Sequence, residues 1–72
     1  MITQETIYIG AAPIRRYSNN GRYAHVNVFG QVFGYPNADA LDAGETDWMS
    51  WDNRPTNSAN ELAIAYVLKV GS

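Results

Sequence analysis

The chain has no cysteine among its 72 residues, so neither disulfides nor Cys-rich metal centres are available to hold it together. It also has no apolar run near the roughly 18 residues that a membrane-spanning helix needs. The opening residues MITQETIYIG lack the basic region and long apolar stretch of a secretion signal. Together these absences predict a cytoplasmic protein that does not enter a membrane. Positive charge is scarce, with five Lys and Arg against seven Asp and Glu, for a net charge of -2. Neutralising phosphates is what drives strong nucleic-acid binding, so a basic nucleic-acid binder is not expected. There is no phosphate loop, because Gly30 and Gly34 fall inside β-patterned sequence rather than ahead of a helix. Asp39, Asp42, Glu45 and Asp47 lack the alternating spacing of a calcium loop. No metal or cofactor is expected. The single histidine, His25, has no neighbouring nucleophile or orienting group in sequence; it reads as a strand histidine on a polar face beside Arg15.

What is present bounds the fold. The length gives one domain, residues 1–72, close to the lower limit for a self-sufficient core. Stability is expected on the order of 4 to 11 kcal/mol at the usual value per residue. A homodimer or partner interface is a further source of burial for so small a domain. The charges are unevenly placed. Arg15, Arg16 and Arg22 lie in the first third, while Asp39, Asp42, Glu45, Asp47 and Asp52 fall in one stretch with no basic residue.

Alternation and β-branched residues predict a first strand over Thr3–Ile9, ending at Gly10. A second strand over residues 14–17 leads into Ser18-Asn19-Asn20-Gly21, a strong turn signal. Residues 22–35 hold four of the nine aromatics and the clearest period of two. A three-residue loop, Asn19-Asn20-Gly21, would set Ile14 against Val26, Ala12 against Val28, Tyr17 against Tyr23 and Arg15 against His25, leaving one face apolar. A two-residue Asn20-Gly21 loop would instead place Arg15 opposite Val26 and mix charge with apolar groups, so the longer loop is expected. A turn at Gly30-Gln31 would then return Val32–Tyr35, with Phe33 against Val28 and Tyr35 against Val26 on the core face. A single long strand bulged at Gly30 is the rival.

Asn37 suits the cap of a short helix over Ala38–Ala43, with Asp39 in its first turn and Gly44 as its stop. Residues 46–51 read as an edge strand and residues 52–55 as a turn. Ser58-Ala59-Asn60-Glu61 has capping-box spacing and precedes the apolar run LAIAYVL, which predicts a C-terminal helix with Ala59, Leu62, Ala63, Tyr66, Val67 and Val70 on one face. The fold class is α+β: an antiparallel sheet of four to five strands with one C-terminal helix packed on one face.

Two surfaces are candidate binding sites. The first is the acidic segment with Asp42, Glu45, Asp47, Trp48, Trp51 and Asp52, where tryptophans flanked by acids suit a protein partner with a basic surface. One of the two tryptophans is expected to fold back onto the core. The second is a sheet face with Arg15, Tyr17, Tyr23 and Phe29, where rings beside arginines can stack the bases of single-stranded nucleic acid weakly. Cross-strand pairing alone also accounts for those rings.

The segment Ile7-Tyr8-Ile9-Gly10, followed by Tyr17-Ser18-Asn19-Asn20-Gly21, resembles the start of ArdA-type antirestriction proteins. A small, acidic, cysteine-free domain with an aromatic acidic segment is similar in kind to counter-defence proteins of phages and mobile elements, anti-CRISPR proteins among them. The resemblance implies inhibition without catalysis, by occupying the nucleic-acid-binding surface of a defence complex; it assigns no individual residue a role. The function expected from the sequence is therefore a non-enzymatic protein-binding module, an inhibitor that blocks a basic nucleic-acid-handling surface through its acidic, Trp-containing segment. The alternative is a single-stranded nucleic-acid-binding domain.

Overall fold

Asn20 and Gly21 both adopt left-handed backbone, with φ of 50° and 78°, and this two-residue turn fixes which side chains face which layer. The computed structural model of the protein describes residues 2–50 and 56–69. Its elements are β1 (Thr3–Ile9), β2 (Ala12–Asn19), β3 (Arg22–Val26), β4 (Val32–Tyr35), α1 (Ala38–Ala43), β5 (Trp48–Ser50) and α2 (Thr56–Leu68). The strands form one antiparallel five-stranded meander in the order β1-β2-β3-β4-β5. α2 packs on β2, β3 and β4, and α1 touches β3 and β4. The architecture is the α+β one that the sequence predicts, with β1 matching its expected bounds and β2 extending beyond them at both ends.

The register of β2 on β3 is not the expected one. Arg15 pairs with Val26, Arg16 with His25, Tyr17 with Ala24 and Asn19 with Arg22, which is the two-residue register. Positive φ at both loop residues is the signature of a type I′ turn, whose twist matches that of the flanking strands. The charge mixing that disfavours this register in sequence is resolved by α2. Arg22 Nε donates to the Tyr66 carbonyl at 3.1 Å and Asn19 Nδ2 to the Val67 carbonyl at 3.1 Å. Carbonyls in the last turn of a helix lack intrahelical partners. The polar groups on the core face of the sheet thus close the end of α2. Arg16 points to the opposite face, next to His25.

The return into β4 differs as well. Val26 pairs with Val32, His25 with Phe33 and Tyr23 with Tyr35, so Val32 and Gly34 face α2 while Phe33 and Tyr35 face away. Val28 and Phe29 are exposed at a loop tip rather than paired. The loop is built by Asn27, whose Oδ1 accepts from the N–H of Phe29 at 2.9 Å and of Gln31 at 3.0 Å, while its Nδ2 donates to Gln31 Oε1 at 2.7 Å. Gly30, with φ 81°, donates its N–H to the Asn27 carbonyl. An Asx side chain that bonds the backbone two residues on is a local competitor to the ladder, and here it prevails over a tight Gly30-Gln31 turn. Replacing Asn27 with alanine is expected to lower stability by about 1 to 2 kcal/mol in urea denaturation. Asn27→Asp, which keeps both acceptor bonds, should lose less; equal losses would show that the loop is held by something else.

α1 forms as its sequence dictates. Asn37 Oδ1 accepts from the Ala40 N–H at 2.8 Å, and Gly44, at φ 70°, ends the helix by donating to Leu41. The Glu45 N–H to Ala40 carbonyl bond, 2.8 Å, completes a Schellman closure,. α2 begins at Thr56, so Ser58 lies within its first turn and does not act as the expected capping box. Ala59, Ala63, Tyr66 and Val67 are buried against Tyr17, Ala24, Val26 and Val32, with Leu62 and Ile64 at the margin of this core. Val70 lies outside the described residues.

Candidate functional site

The acidic segment starts in α1, which has no buried residue. Asp39, Asp42, Glu45 and Asp47 are all exposed. Among the described residues the only ion pair is Arg16 with Glu5, at 3.5 Å, so none of these four acids is neutralised by a described cation. The short α1 helix and its Gly44 stop therefore present Asp39, Asp42 and Glu45 to solvent above β3 and β4. Asp47 is different, because its Oδ1 accepts from the Tyr66 hydroxyl at 2.5 Å and its N–H donates to the Gly34 carbonyl. Trp51 and Asp52 lie outside the described residues. Met49 is exposed on β5.

Trp48 is not a free aromatic anchor. It is half-buried, packs against the core, and stacks on Tyr66 with ring centroids 5.6 Å apart and an interplanar angle of 14°. The sequence leaves open which tryptophan folds back; Trp48 does so. Tyr66 is the hub of this corner. The Arg22 guanidinium lies over its ring, 4.2 Å from the centroid, a cation–π contact strengthened by burial. Gly34 lies beneath the ring, and a Cβ there would stand 2.6 Å from Cε2 and Cζ. Burial first, and then the hydrogen bond to Asp47, push the Tyr66 hydroxyl well above the ordinary tyrosine range,. β3, β4, β5 and α2 are thus locked together next to the acidic surface. The trace of this in sequence is Gly34, since a glycine inside a strand often marks the close approach of another group.

The other face carries a second polar group. His25 is buried, its Nε2 accepts from Arg16 Nε at 3.0 Å, and its ring meets Tyr35 edge-on at 5.0 Å. Burial, and secondarily the Arg16 charge, lower its pKa to about 4. The imidazole is therefore neutral near pH 7, with Arg16 rather than Arg15 beside it. This arrangement also takes apart the expected base-stacking face. Tyr17 is buried under α2, Tyr23 lies on the opposite side of the sheet, and Phe29 sits at a loop tip. Arg15 is half-buried on the same side as Tyr17. The shift in register parts Tyr23 from Arg15 and Tyr17, and the Asn27 loop carries Phe29 away from all three.

Among the described residues no group of three or more His, Asp and Glu side chains is placed to hold a metal ion, and no helix is long and apolar enough to cross a membrane. No protein-family model matches the chain, and no curated protein or solved structure matches it.

Proposed function

We propose that this protein is a non-enzymatic binding module whose acidic segment engages a basic, nucleic-acid-handling surface of a protein partner and inhibits it, as counter-defence proteins do. The observation that carries this reading is that Asp39, Asp42 and Glu45 are exposed together without a described counter-charge. Unpaired acids on a short, shallowly packed helix add little to the stability of their own fold. On approach to a basic partner they raise the association rate and fix orientation. Tyr66 holds Asp47 at the edge of the same segment, so the acidic surface rests on a rigid support. The partner class follows from charge: a surface that binds phosphate backbones is basic, and an acidic module competes for it.

The test is the variant Asp42→Lys/Glu45→Lys, which spares the helix-start Asp39 and the hydrogen-bonded Asp47. Its melting temperature should match that of the wild type. Captured from a lysate of the source cells, the wild-type chain should retain a nucleic-acid-binding protein and release it as salt rises. The variant should bind that protein about tenfold or more weakly, because like charges then face each other. Equal capture by a folded variant would reject the segment as the site.

A further inference from the structure

Among the described residues, the longest strand edge of the sheet is unpaired. β1 bonds only β2 and forms one border of the sheet, and six of its seven residues are exposed. Edge strands are normally protected by proline, lysine, a bulge or a covering element, since their free N–H and C=O groups template pairing with another chain. Among the described residues β1 has none of these. Its register against β2 runs without a bulge from Thr3↔Ser18 to Ile9↔Ala12, and its single charge, Glu5, is bound to Arg16 of the same chain. Two of the large exposed apolar side chains of the protein, Tyr8 at 70% and Ile9 at 60% exposure, stand on this strand.

Ladder alternation tells which backbone groups are free. Ile9 and Ala12 flank the two-residue loop Gly10-Ala11, and such a loop closes on a hydrogen-bonded pair. Hydrogen-bonded pairs therefore recur at Ile7↔Ile14, Glu5↔Arg16 and Thr3↔Ser18. The N–H and C=O of Gln4, Thr6 and Tyr8 turn outward. Pro13, which has no N–H to give, falls opposite Tyr8, where none is required toward β1,.

We propose that β1 pairs antiparallel with β1 of a second copy of this chain about a twofold axis at Thr6, joining the two sheets edge to edge. Only registers that bring outward groups to outward groups can form bonds. Centring on Thr6 uses all of them: Gln4 meets Tyr8 of the second copy, Thr6 meets Thr6, and Tyr8 meets Gln4. Each is a reciprocal pair that exchanges two hydrogen bonds. A twofold interface requires a self-complementary patch, and this one is free of like-charge opposition. Glu5 lies across from Ile7 of the second copy rather than from its own counterpart. Tyr8 then covers Gln4, and Ile9 covers Thr3, across the new seam. The pairing uses backbone groups of β1 alone and leaves β5 at the far ends of the joined sheet, so its test at Thr6 changes none of the acids on which the partner reading rests.

Sedimentation equilibrium of the full chain over a dilution series from millimolar to micromolar should show a species of twice the 8.0 kDa chain mass that dissociates on dilution. Thr6→Pro removes an outward N–H without touching the ladder to β2, and should give a folded monomer. Thr6→Lys and Thr6→Glu, each placing like charges across the axis, should be monomeric alone and form a dimer when mixed in equal amounts. A single-chain mass at millimolar concentration overturns the proposal, as does a dimer that Thr6→Pro leaves intact. A Lys/Glu mixture that stays monomeric overturns the axis at Thr6.

Discussion

Replacing Tyr66 with alanine is expected to cost about 3 to 5 kcal/mol, the range for truncating a buried aromatic, and so to bring a domain of this size to the edge of unfolding. The ring gives up its stack on Trp48, its cation–π contact with Arg22 and its hydroxyl bond to Asp47 in a single change. Gly34→Ala attacks the same corner from below. Its backbone is not in the left-handed region, so the cost comes from space alone: the new methyl would stand 2.6 Å from ring carbons of Tyr66. Overpacking of this kind costs about 1 to 3 kcal/mol. The two effects are coupled. Once Tyr66 is alanine, nothing crowds position 34, and Gly34→Ala should become neutral or stabilising. A double-mutant cycle in urea should therefore return an interaction energy above about 1 kcal/mol. Additive losses would mean that the sheet shifts to accept the methyl, and that Tyr66 is not wedged against Gly34.

That corner explains how far the sequence could be read. Features decided within a few residues are legible: Asn37 and Gly44 bracket α1, and the alternation of TQETIYI marks β1. The register of the central hairpin is not, for a specific reason. The alternation argument assumes one dry face and one wet face, whereas β3 is covered on both sides and four of its five residues are buried. Arg22 and Asn19 then look misplaced until α2 supplies the carbonyls they serve. No local pattern announces a contact spanning 48 residues, as between Asn19 and Val67. The candidate site divides in the same way. Asp39, Asp42 and Glu45 could be placed on a surface from charge clustering and helix caps alone. The assignment of Trp48 to the core required Tyr66, and the face of Arg15, Tyr17, Tyr23 and Phe29 is lost through the register, which turns Tyr23 away, and through the Asn27 loop, which removes Phe29.

Acidification should destabilise the fold between about pH 6.5 and pH 4 through His25 alone, before any other group is invoked. In the unfolded chain this imidazole takes up a proton near its ordinary pKa of 6.5, whereas in the fold it resists protonation until about 4. Across that window the unfolded state binds the extra proton, so stability falls as pH is lowered; below it both states are protonated and the contribution levels off. A difference of this size corresponds to about 3 kcal/mol, a large share of the total for a small domain. The structural cause is specific. His25 is enclosed by Tyr35, and its Nε2 accepts from the Arg16 guanidinium, so a protonated ring would give up that bond and face a positive charge at the same distance. His25→Gln retains an acceptor for Arg16 and cannot titrate in this range. The stability difference between wild type and variant, followed by urea denaturation from pH 7 to pH 3.5, should therefore change by about 3 kcal/mol across the window. In the folded wild type the histidine ring protons should titrate in NMR with a midpoint near 4. A midpoint near 6.5, or parallel pH profiles for the two proteins, would mean that water reaches the ring and that the Arg16 bond does not hold it neutral.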